Sequence, residues 1–162
     1  MMKIVDKIIR NVKDAGKPEV VHCEAIYLDR VYKRVLKYCK INKTKFFVMT
    51  PVNSKLFWYA FHVDKKTVLK KMALRYRALE KTGQEIQLHV HVYHPLVKVS
   101  YNYEKKMITG AYYWCIRNGF KPTEYVGGSF GQGKNTVKIC KELGMKVAPR
   151  SKYRFIHDYD IS

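Results

Sequence analysis

Three histidines fall within six residues at the end of one apolar run, EIQLHVHVY (Glu85 to Tyr93) followed by His94 and Pro95. Alternation sets Ile86, Leu88, Val90 and Val92 on one face of a strand and Gln87, His89, His91 and Tyr93 on the other. Side chains two apart on a strand are rooted roughly 6.5–7 Å apart, close enough for His89 and His91 to chelate one divalent ion. The turn at Pro95 frees His94 from strict strand facing. His89 and His94 are therefore the expected imidazole ligands, with His91 as the substitute. Imidazole plus one carboxylate with open positions suits a catalytic divalent metal, and zinc is the expected cofactor.

The chain holds only 13 acids, so the carboxylate partner can be sought exhaustively. Most fall in predicted helices, caps or breakers, and Glu85 and Glu124 open their strands at the wrong end. Glu24, at the carboxyl end of the first predicted strand, remains, together with Asp158 and Asp160 in the closing FIHDYDIS segment. Glu24 is the expected ligand, with His22 beside it on the same strand face. Gly127-Gly128-Ser129-Phe130-Gly131-Gln132-Gly133 places four glycines in seven residues before a helix. Such a loop permits close backbone approach, but no Lys-Ser/Thr pair follows it, which weighs against a nucleotide cradle. A substrate-lining role is expected for Gly127, Gly128, Ser129 and Phe130. Trp58 joins them from Thr50 to Val63, an aromatic-rich loop that reads as a core cover or a ligand-facing lid.

The elements that must hold these residues alternate. Short apolar runs at Glu19–Ile26, Thr44–Met49, Glu85–Tyr93, Glu124–Phe130 and Met145–Ala148 are separated by helical periodicities at Leu28–Ile41, Asp64–Leu79, Ser100–Asn118 and Lys134–Leu143. That pattern implies an α/β fold of parallel strands joined by crossover helices, either an open sheet or an incomplete barrel, with function at the carboxyl ends of the strands. No repeat or linker divides the 162 residues, so a single domain is expected.

Composition narrows the classes further. Cys23, Cys39, Cys115 and Cys140 form no C-x-x-C pair, which excludes a zinc ribbon or thioredoxin motif and reads as reduced core thiols. The N-terminus MMKIVDKIIRNVKDAGK is charged and amphipathic without an apolar signal core, and the expectation is a soluble, cytoplasmic chain with no membrane partner. The formal net charge is +19, and residues 1–81 carry 20 basic against 7 acidic side chains. Spread at helical spacing, the lysines read first as solvated helix faces and second as a weak, electrostatic polyanion surface.

The stretch from Lys43 to Lys146 resembles the NodB-type polysaccharide deacetylases. TKFFVM (Thr44–Met49) is similar to that family's second strand. EIQLHVHVYHPL is similar to its histidine strand, SYNYEKKMITGAYYWCIRNGFKPTEYVGGSFG to its post-histidine helix and loop, and TVKICKELGMKV to its terminal strand lead-in. The resemblance implies a distorted or incomplete (β/α) barrel and a metal-dependent amide hydrolase that deacetylates an amino sugar or related carbohydrate. In that family an Asp and two His hold the metal, a neighbouring Asp is the base and a later His protonates the leaving amine. Carried over residue by residue, Glu24 and His89 become ligands. The second histidine would fall at Tyr93, so His94 or His91 must serve. His22 stands near the base position, and His157 in RFIHD takes the place of the acid. The family's paired Asp and its loop Arg have no match here. A second reading follows from those departures: a catalytically inactive deacetylase-like fold binding nucleic acid or an anionic glycan.

Overall fold

The computed structural model describes residues 16–54, 64–92, 99–128 and 131–162. Six strands form one sheet: β1 (Glu19–Cys23), β2 (Lys45–Met49), β3 (Glu85–Val90), β4 (Glu124–Gly127), β5 (Lys146–Val147) and β6 (Arg154–His157). Their order is β5-β4-β3-β2-β1-β6 and every pairing is parallel. Helices α1 (Asp29–Cys39), α2 (Lys65–Lys81), α3 (Tyr101–Arg117) and α4 (Lys134–Glu142) make the crossovers.

The helix ends follow from local chemistry. Asp64 Oδ2 accepts the Thr67 amide proton at 2.7 Å and opens α2. Ser100 Oγ accepts from the Tyr103 amide and opens α3. Gly119, at φ +84°, takes the left-handed turn that ends α3, a conformation that disfavours any Cβ.

Strand alternation divides the interior in two. Val21, Cys23, Phe46, Val48, Ile86, Leu88, Val90 and Tyr125 face outward from the sheet and pack under the helices, against Val35, Met72, Tyr76, Leu79, Ile108, Ala111 and Ile139. The opposite face holds a smaller core of Val20, Phe47, Val126, Ala148 and Tyr153, with Phe155 against it. The four cysteines are buried and free, as expected of core thiols. Burial pushes the Cys115 and Cys140 thiols up to about 12.

Consecutive strands β5 and β6 lie at opposite edges of the sheet. In a flat sheet those edges would stand about 24 Å apart, five spacings of ~4.8 Å. The link between them passes through a 3₁₀ turn at Arg150–Lys152, and its reach is about 19 Å when the rest is fully extended. The sheet must curl, and it does so into an incomplete barrel with its gap between β5 and β6. Strand β6 is absent from the periodicity reading.

The floor of the curl is polar. Glu124, nearly buried, accepts from the Tyr153 hydroxyl at 2.8 Å and pairs with Lys45 and Lys152. The amides of Thr123 and Glu124 donate to Gln87 Oε1. Among the described residues, no helix is long and apolar enough to cross a membrane.

Candidate metal centre

Because all six strands run the same way, their carboxyl ends meet on one side. Register then chooses the residues. His22 on β1 is level with His157 on β6 and with Phe47 on β2. Two residues further along, His89 on β3 is level with Met49 and with Val126. Glu24 follows β1 and His91 follows β3, each two residues beyond an inward histidine. The geometry thus brings together His22, Glu24, His89, His91 and His157. His94, Trp58, Ser129 and Phe130 lie outside the described residues.

Distances in the cluster are short. Glu24 Oε1 lies 2.9 Å from His91 Nε2, 3.3 Å from His89 Nε2 and 3.6 Å from His22 Nε2. His22 Nε2 is 2.9 Å from His89 Nε2. The Val126 carbonyl, 2.9 Å from His89 Nδ1, can only accept, which assigns the His89 proton to Nδ1. Its Nε2 therefore turns a lone pair toward the Glu24 carboxylate oxygen and His22 Nε2, and can serve a metal ion as a ligand.

The separations also have the size a cation would need. Zinc bonds of about 2.0–2.1 Å in a tetrahedron set neighbouring ligand atoms about 3.3–3.4 Å apart. The observed 2.9–3.6 Å brackets that edge. The Val126 carbonyl behind His89 is the outer hydrogen bond that fixes a ligand's tautomer and ring orientation. Two overlapping groups have one ligand atom per residue within 4.8 Å of one another: Glu24–His89–His91 and His22–Glu24–His157.

Electrostatics favour the forms of these side chains that a metal ion would need. Burial, reinforced by neighbouring His89, lowers the pKa of His22 to about 2. His89 is also lowered, first by burial. The side chains of His89 and then His91 hold the Glu24 carboxyl well below the usual carboxylate range.

Two further features shape the site. A Cβ built on Gly128 would come within 2.4 Å of His91 Nδ1, so glycine there is what lets the loop lie flat on that ring. A Cβ on Gly127 would fall 2.3 Å from the Gly131 carbonyl oxygen. Asp158, fully buried in the 3₁₀ turn after β6, accepts the Ala25 amide at 2.8 Å and the Cys23 thiol at 3.4 Å. It thereby ties down the segment that carries Glu24. Sequence reasoning retained Asp158 only as a spare acid near the site. Its place directly after His157 was the one signal, and the contact with residues 23–25 is visible only in three dimensions.

No family model matches the sequence, and no curated protein matches it. Solved structures do. The chain superposes on a family 4 carbohydrate esterase from Streptomyces lividans with a TM-score of 0.59 at 7% identity, over 83% of this chain and 62% of the other. It superposes on a CE4 family pseudoenzyme from Bacillus anthracis with a TM-score of 0.56 at 14% identity, over 83% and 43%. For a peptidoglycan N-acetylglucosamine deacetylase the TM-score is 0.52 at 16% identity, over 81% and 55%. The chain spans between 43% and 62% of the length of these three structures. Likeness at such low identity speaks to architecture, and it agrees with the curled parallel sheet: this chain has the fold of the NodB-type family 4 carbohydrate esterases, in a shortened, incomplete barrel.

Proposed function

We propose that this chain is a divalent-metal-dependent amide hydrolase that removes an acyl group from an amino sugar in a carbohydrate. The observation that carries the reading is the convergence of Glu24, His89 and His91 at the carboxyl ends of β1 and β3, with ligand-sized spacings and a carbonyl fixing the His89 tautomer. Glu24, His89 and His91 hold the ion, with His22 against them and His94 as the further candidate named from sequence. Zinc is the metal best matched to this donor set. A divalent ion held there supplies Lewis acidity toward an amide carbonyl and toward water.

The chain's own side chains do the rest. Gly127 and Gly128 form a wall without side chains beside His91, where a sugar can approach the backbone closely; Ser129, Phe130 and Trp58 are assigned to the same substrate surface. His157, partly exposed on β6, donates the proton that the departing nitrogen needs. His22 stands near the family's base position. With a pKa near 2 it is a poor acceptor at neutral pH, since a general base works best near the operating pH, and in this reading it supports the ion.

That last point is also the observation behind a second reading, in which the fold binds without hydrolysing. A pseudoenzyme stands among the structural neighbours. The partner of such a basic chain would be nucleic acid or an anionic glycan.

The test is acetate release from N-acetylglucosamine oligomers and from peptidoglycan by the zinc-loaded protein, compared with His89→Ala and Glu24→Gln. The proposal expects release that both substitutions abolish. Zinc bound at one equivalent or more with no release from either substrate would leave the binding reading in place.

A further inference from the structure

The site contains more ligands than one catalytic ion uses. An open catalytic zinc takes three protein ligands, and Glu24, His89 and His91 already supply them. His22 and His157 remain, level with each other on adjacent parallel strands, their ring centroids 4.9 Å apart. Together with the same Glu24 they form the second group of three ligand atoms within 4.8 Å.

Independent observations point to an occupant there. Among the described residues, the buried His157 Nδ1 has no hydrogen-bond partner, and a buried polar atom left so is completed by an ion or water. The next residue, Asp158, is fully buried, and its Oδ1 likewise has no partner among the described residues. Its carboxyl and that of Glu24 act on one another, so two carboxyl groups stand beside the imidazoles of His22 and His157 in this corner. His22 Nε2 and His89 Nε2, 2.9 Å apart, would then serve two different ions, with Glu24 common to both groups.

We propose that His22, Glu24 and His157 form a second divalent-cation site that shares Glu24 with the first, and that it takes imidazole-preferring ions such as zinc, nickel or copper. The inference rests on the metal reading above and goes beyond it. The second ion binds against the charge of the first and therefore more weakly. Filling the site occupies the imidazole assigned to protonate the leaving nitrogen, so abundant metal closes down a centre that one ion opens.

Zinc titration of the chelator-stripped protein, followed calorimetrically and by elemental analysis after desalting at each added ratio, tests this. Cobalt(II) absorption serves as a second probe. Two ions per chain are expected, the second at least tenfold weaker, with His157→Ala and the milder His157→Gln each binding one. A single ion in the unmodified protein overturns the second site and leaves the proposed function standing. No ion at all overturns both. Two ions retained by both His157 variants also overturn the assignment.

Discussion

In the presence of a chelator this protein should be sensitive to mild acid, and His22 sets the size of the effect. In the unfolded chain a histidine titrates near 6.5, whereas in the folded protein burial holds His22 near 2. Between those values the unfolded state binds a proton that the folded state refuses, so stability falls as pH drops below 6.5. From pH 7.5 to pH 5 the loss from His22 alone is about 2 kcal/mol, from RT ln(1 + 10^1.5). His89, also lowered by burial, acts in the same direction. Glu24 adds no slope in this window, because its carboxyl is ionised in both states there; its stabilising share is lost only as pH falls below about 4.5. Asp158, raised by burial, works in the opposite sense. The difference between the unmodified protein and His22→Phe, a ring of similar size that does not titrate, therefore isolates the His22 contribution. Urea unfolding in EDTA at pH 7.5, 6 and 5 should show the unmodified protein losing about 2 kcal/mol more than the variant over that range. Equal pH dependence in the two proteins would refute the reasoning.

Three more outcomes follow from the structure. Gly128→Ala drives a methyl group into the His91 ring, and a displaced ligand should weaken zinc binding by roughly 10–100-fold in a chelator competition; unchanged affinity would separate His91 from the ion. Asp158→Asn sets an amide where the Ala25 N–H donates, and should lower stability by about 1–3 kcal/mol in urea unfolding, a result that fails if the variant melts with the parent. Retention of the protein on heparin or duplex RNA should fall linearly in log K with log salt, and should weaken in Lys66→Glu/Lys70→Glu on α2; binding that survives about 0.5 M salt contradicts a purely electrostatic surface.

The parts of this architecture that were legible in the sequence are those governed by short-range chemistry. The two-residue period of β3 placed His89 and His91 opposite Leu88 and Val90 without any tertiary information, because side-chain direction alternates along any strand. Asp64 and Ser100 announced α2 and α3 because a cap acts within three residues. Glu24 emerged by elimination in a chain so poor in acids. Strand β6 was hidden for the opposite reason: RFIH is short, only partly apolar, and becomes a strand by pairing with β1, 135 residues earlier from Glu19 to Arg154. The contact of Gly128 with the His91 ring was illegible for a related reason: it joins two loops far apart in the sequence.

A curled sheet of six strands would ordinarily leave the inside of a barrel open to water, and the residues between β5 and β6 show how the interior of this one is filled. Tyr153 enters the interior from the link, beside Phe47 and Phe155, with ring centroids about 6 Å apart. Its hydroxyl reaches Glu124 on the far wall. One aromatic residue thus fills volume that further strands would occupy and satisfies a carboxylate that would otherwise be buried with only lysines for company. Above this plug the five residues of the candidate site stand on β1, β3 and β6 or just beyond their ends. The connection to β6 crosses the opening and delivers His157 and Asp158 to β1. Filling the interior and bringing His157 and Asp158 to β1 are thus the work of the same segment, Ala148 to Asp158.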